Sequence, residues 1–297
     1  MRWREGRRSD NIEDRRGLGS PSGLGFPGGG GGGFRRVGVG GLGLILVIVL
    51  ALLFGVDPSQ LLQQLAGPDA YAPQSASISS GAADAELRDF VSVVLADTED
   101  TWQEQFQEMN RTYRDPTLVL FNGGVQSACG FAETATGPFY CPGDQKVYLD
   151  LDFFNELGNR FQAPGDFAEA YVIAHEVGHH VQTLLGIMDK VDSLRGRLNE
   201  AAANQLSVMV ELQADCFAGV WANHADRARQ ILEAGDVEEG LAAAAAVGDD
   251  RLQRQAQGYV VPETFTHGTS AQRTRWFKQG LESGRISDCD TFNAQQL

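Results

Sequence analysis

The chain has 297 residues, enough for one or two ordinary domains, and carries a net charge of −15. The acidity is uneven: residues 1–36 hold eight arginines against four acids, +4, which leaves −19 for the rest. A body so acidic repels phosphates, and no basic patch interleaved with aromatics is visible, so nucleic acid is set aside as a partner.

In chain order, residues 1–36 are rich in Arg, Gly, Ser and Pro, with six consecutive glycines at 28–33. This composition cannot bury a core and reads as a disordered tail. Residues 37–56, VGVGGLGLILVIVLALLFGV, carry no charge. As a helix they would span about 30 Å, the hydrocarbon thickness of a bilayer. A signal-peptide core is shorter, and no small-residue cleavage site follows cleanly, so the stretch is expected to be an uncleaved single-pass anchor. Arg35 and Arg36 abut its start and Asp57 follows its end. The positive-inside rule then predicts a cytoplasmic N-terminus, with everything after residue 57 outside. Residues 57–83 read as a polar linker rich in Pro, Gly, Ser and Ala.

The globular domain is expected over 84–297. Leu87, Phe90, Val91, Val94, Leu95, Trp102 and Phe106 fall at helical spacing, predicting a helix to about Met109. TLVLF (117–121) predicts a strand, and 137–154 predicts two short strands around a Pro-Gly turn. From Asp166 onward the pattern is helical, over roughly 166–185, 194–225, 237–257 and 270–283. Asp166, with Glu169 three residues on, is the expected N-cap of the first of these, and Gly186 its stop. The class is α+β, mainly helical with a small β-sheet.

Three of the chain's five histidines lie in AHEVGHHVQ, residues 174–182. His175 and His179 are four apart, so on a helix both rings face one metal ion. Glu176 sits beside the first of them, placed to act as a base without completing the coordination. Two histidines on an amphipathic helix can also be ordinary core or surface residues. A third ligand argues against that, because catalytic zinc takes three protein ligands and keeps one open position. Glu211 in VELQADCFAGVWA (210–222) is the candidate. Asp215, one turn on, can accept the free N–H of a ligand histidine. Such a pair is common on solvated helices, but here Val208, Leu212, Phe217 and Trp221 surround it, and acids in apolar surroundings need partners. Cys216 lies about 140° round the helix from Glu211 and is a poor ligand.

The blocks HEVGHHVQ (175–182), ELQADCFAGVWA (211–222), THGTSAQRTRWFKQG (266–280) and ACGFAETATGPFYCPGDQKVYLDLDFF (128–154), behind one N-terminal apolar segment, resemble the bacterial neutral zinc metallopeptidase family. The resemblance covers nearly the whole chain. It implies a zincin-like, broadly gluzincin core and an inner-membrane peptidase whose catalytic domain lies on the extracytoplasmic side. One Zn2+ per chain would be held by His175, His179 and Glu211, with Glu176 as general base and a peptide or protein as substrate. By analogy with gluzincins, His267 in TFTHGTS stabilises the oxyanion; a loop residue that only orients the turn is an equal reading. Tyr259 and Arg273 are weaker candidates for that task. The 138–151 strands could offer an edge to an extended peptide.

His180 reads as a residue beside the site or partly exposed, and His224 as a helix-end or surface histidine. Ser270 is the expected cap of the last helix. Four cysteines allow three pairings; Cys129 with Cys141 and Cys216 with Cys289 is preferred. Asp166, Glu169, His175 and Glu176 make the motif helix too polar for an intramembrane protease. The alternative to a peptidase is a zinc-binding scaffold or chaperone partner in the envelope that turns nothing over.

Overall fold

The structure is a computed structural model, in which residues 1–16, 81–133 and 136–297 are described. Helix α1 spans Ala82–Glu108 and buries the expected stripe of Phe90, Val91, Val94, Leu95, Trp102 and Phe106. Strand β2 is Thr117–Phe121, β5 is Phe139–Cys141 and β6 is Lys146–Asp150. An N-terminal strand, β1 (Ile12–Asp14), joins them in one sheet of order β1-β2-β6-β5. β1, β2 and β6 run parallel, and β5 is antiparallel to β6, so β5 forms one edge. Between β2 and β5 lies a hairpin the sequence reading passed over, β3 (Gly124–Ser127) with β4 (Gly130–Glu133). Its strands are short and β4 is mostly exposed, so it leaves no clear apolar alternation.

The helical half follows. It comprises α2 (Asp152–Asn159), α3 (Asp166–Leu184), α4 (Ile187–Arg195), α5 (Glu200–Arg229), α6 (Asp236–Ala246), α7 (Asp249–Gln257) and α8 (Ser270–Ser283). The helix expected over 194–225 is broken near Gly196, and α5 restarts with the Asn199 side chain accepting from the Ala202 N–H. The one expected over 237–257 breaks at Gly248 into α6 and α7. α+β with a mainly helical body is the class observed.

Two caps differ from expectation. Asp166 is not the N-cap of α3 but its first helical residue. Gly165 occupies the cap at φ 127°, and a Cβ there would stand 2.0 Å from Glu239 Oε2. Glu239 instead accepts from the Phe167 N–H, satisfying a donor at the helix start. At α8 the cap is Thr269, paired with Gln272 in a capping box, and the Ser270 hydroxyl donates to Ala245 O.

Glu169 lies in the first turn of α3. Burial, then Asp166 and Glu239, push its carboxyl up to about 7. An acid raised on folding holds its proton more tightly folded than unfolded. Stability is then greatest below the unfolded value of 4.5 and falls as pH rises from there through 7. Glu169→Gln is therefore expected to melt above wild type at about pH 8 and level with it at about pH 4. Scanning calorimetry at the two pH values checks this, and the same gap at both would contradict it.

Residues 1–16 are not a disordered tail. β1 pairs with β2 in the register Ile12↔Leu118 to Asp14↔Leu120. Trp3 is buried against Phe90, with ring centroids 5.4 Å apart. Composition misled because the partners of this segment lie some eighty residues on: Arg4 pairs with Glu86, and Arg8 with Asp89. The expected disorder of 17–36, the anchor 37–56 and the linker up to residue 80 lie outside the described residues. Among the described residues, no helix is long and apolar enough to cross a membrane.

The disulfides are Cys129–Cys141 and Cys216–Cys289, the preferred pairing. The second ties the C-terminal segment to α5. Helices α5 and α8 touch backbone to backbone. A Cβ on Gly280 would meet Cys216 O at 1.9 Å. Gly280→Ala must push the helices apart, and is expected to destabilise by about 3 kcal/mol, the upper range for overpacking. Urea unfolding measures it; a loss under about 1 kcal/mol would mean the crossing relaxes freely.

Candidate metal centre

Helix α3 is buried on nearly every face, and α5 packs across it at Gly178. A Cβ on Gly178 would lie 3.0 Å from Ala214 O, so the glycine lets the two backbones close up. That approach brings His175 and His179 of α3 to Glu211 of α5. His175 Nε2 lies 3.2 Å from Glu211 Oε2, and His179 Nε2 lies 3.5 Å from Glu211 Oε1. The two imidazole rings stand perpendicular, with centroids 4.8 Å apart.

These spacings suit zinc. A tetrahedral ion with bonds of about 2.0–2.1 Å holds its donor atoms about 3.3 Å apart. Two imidazoles and a carboxylate are also an ordinary zinc donor set. Each ring has its other nitrogen engaged, which fixes its orientation. His175 Nδ1 lies 2.8 Å from Asp215 Oδ1, and His179 Nδ1 lies 2.9 Å from Gln182 Oε1.

Asp215 is fully buried and takes three partners. Beside His175 they are the Tyr171 hydroxyl and Arg273, whose Nε and Nη2 donate to its two oxygens at 2.8 Å each. Burial would raise the Asp215 carboxyl, but Arg273 and His175 hold it below the usual range. Burial would lower His175, but Asp215 and Glu211 raise it to about 9. Burial would raise Glu211, yet the two histidines hold it well below the carboxylate range. The field around the ring pair thus favours a cation.

Glu176 is 8% exposed and lines a cavity of about 970 Å³ together with His175, His179 and Glu211. Among the described residues, no donor lies within hydrogen-bond reach of its carboxylate. His267 lines the same cavity. Asp249, the first residue of α7, accepts the backbone N–H groups of Thr266, His267 and Gly268 at 2.8, 2.6 and 2.9 Å. It also lies 3.3 Å from His267 Nδ1, and this contact raises the imidazole. The loop reading and the cavity-facing reading of His267 therefore coexist in one geometry.

Of the remaining candidates, Arg273 also lines the cavity, with its Nε and Nη2 committed to Asp215. Tyr259 is 61% exposed and does not line the cavity. His180 is buried, not partly exposed, between Tyr140 and Arg114 O. His224 bonds Gly284 O at the end of α8. Gln182, Tyr171 and Asp249 were missed. Gln182 was findable, since it lies three residues past His179 on one helix. Asp249 was hidden inside a helix expected to run unbroken through it.

A family model described as "Putative neutral zinc metallopeptidase" matches residues 1–292. The Escherichia coli K12 protein YpfJ, itself uncharacterized, is 50% identical over 293 residues, covering 98% of this chain and 99% of that protein. The uncharacterized Mycobacterium tuberculosis protein Rv2575 is 43% identical over 261 residues, covering 83% of this chain and 86% of that protein. No solved structure matches. With the match extending over nearly its full length, the chain belongs to the neutral zinc metallopeptidase family.

Proposed function

We propose that the chain is a zinc-dependent peptidase in which His175, His179 and Glu211 hold one ion and Glu176 is the general base. The observation that carries this reading is the Glu176 carboxylate. It sits beside the ligand set on a cavity wall, nearly buried and with no described donor. A purely structural site has no use for an acid on that wall, whereas a site that activates water needs a base there. When bound, zinc supplies Lewis acidity, polarising the scissile carbonyl and making water more acidic.

Glu176 takes the proton from the water that attacks the carbonyl carbon. It delivers that proton to the amine nitrogen as the C–N bond breaks. Asp215 and Gln182 keep the two imidazoles aimed. His267, favoured as the imidazolium by Asp249 at its Nδ1, has the Nε2–H left to donate to the oxygen that gathers charge. Pro138, Phe139 and Tyr140, at the β5 edge, form a wall against which an extended peptide adds as a further strand. The apolar segment 37–56 ties the domain to the bacterial inner membrane, and the two disulfides favour its extracytoplasmic, oxidising side.

The test is hydrolysis of a quenched fluorescent peptide library by the full chain. Cleavage that stops with a chelator and returns with added zinc is expected. A zinc-loaded protein that cleaves neither peptides nor unfolded proteins would overturn the reading in favour of a scaffold.

A further inference from the structure

The N-terminal segment is built into the domain more deeply than a docked tail would be. Glu99 of α1 is 1% exposed, and three of its partners come from this segment. The Ser9 hydroxyl donates at 2.5 Å, and the Asn11 amide and Arg7 each donate at 2.8 Å. Residues 7–11 thus cover that carboxylate and also supply the donors that compensate its burial. The backbone is engaged as well. Ser9 N–H donates to Ser92 O, Leu118 N–H to Asn11 O and Arg15 N–H to Leu120 O, at 2.8–3.0 Å. Gly6 passes so close to α1 that a Cβ there would meet Val93 Cγ1 at 2.5 Å.

Charge is matched along the whole contact. Arg4, Arg7 and Arg8 pair with Glu86, Asp100 and Asp89 on one face of α1, and Lys146 of β6 pairs with Glu13. Composition alone makes these arginines part of a disordered, positive tail. Their partners are the acids of the domain itself.

We propose that residues 2–16 are a permanent strand and clamp of the domain, and that they stay on the same side of the membrane as residues 81–297. Paired strands lie about 4.8 Å apart, whereas the hydrocarbon core is about 30 Å thick. A single crossing by residues 37–56 would put the two halves of this contact in different compartments, and β1 could not pair with β2. On this proposal the N-terminus and the domain share one side, in place of the arrangement expected from Arg35, Arg36 and Asp57. This inference stands apart from the peptidase reading, since it uses none of the site residues.

The test uses the four native cysteines' engagement in disulfides, which makes a single introduced cysteine the one free thiol. Glu5→Cys and Glu282→Cys, both at exposed positions, are made separately in the full chain. Intact cells are treated with a membrane-impermeant maleimide, and lysed cells serve as the reactive control. With labelling read above that of the unsubstituted chain, labelling of both positions in intact cells is expected, and protection of both until lysis also places them on one side and supports the proposal. Labelling of one with protection of the other would overturn it.

Discussion

Glu176→Gln is expected to keep zinc content and melting temperature at wild-type values while kcat/KM falls by about a thousandfold or more, the scale of a lost general base. Glutamine fills the same volume at the cavity wall, so packing of α3 is undisturbed. It cannot accept the proton of the attacking water. The variant also separates the two classes of function considered from sequence. If a cellular role attributed to the protein survives Glu176→Gln intact, a scaffold that binds zinc without turnover accounts for it. If the role is lost while zinc and fold remain, only chemistry at Glu176 accounts for it. Zinc loss in this variant would place Glu176 in the coordination shell and contradict the division of labour between it and Glu211.

Asp215→Asn carries the largest expected loss of stability. Asp215 is fully buried, and it is the sole ion-pair partner of Arg273 among the described residues; Arg273 is itself 3% exposed. Neutralising it leaves a guanidinium uncompensated in the core, a change worth about 3–5 kcal/mol. The same change weakens the acceptor that orients His175 and is expected to lower zinc affinity about 10–100-fold. Urea unfolding and chelator competition read the two effects. A double variant, Asp215→Leu with Arg273→Met, should recover much of the stability, because both charges then leave the core together, but not the zinc affinity. If the double variant were as unstable as the single one, shape rather than charge would be the cause.

The part of the site carried by local spacing was legible in the sequence. His175, Glu176 and His179 share a turn, as do Glu211 and Asp215, and helical periodicity alone puts each set on one face. That the two helices meet was suggested by acids set among apolar residues, and the contact at Gly178 realises it. What was hidden depended on partners remote in sequence. Asp249 serves His267 across a loop, and only the helix break at Gly248 frees it to do so. The N-terminal arginines looked like a solvated tail because a low-hydrophobicity segment can fold onto a ready-made surface, here the acidic face of α1. One-residue errors in capping, Ser270 for Thr269 and Asp166 for Gly165, arose because several adjacent residues could cap and tertiary contacts chose among them.

The most direct measurement is the metal content of the purified full-length protein, by elemental analysis, beside that of Glu211→Ala. One zinc per chain in wild type and markedly less in Glu211→Ala is the predicted result. No zinc in wild type after zinc-replete expression, or equal zinc in both proteins, would contradict the assignment of His175, His179 and Glu211 as the centre.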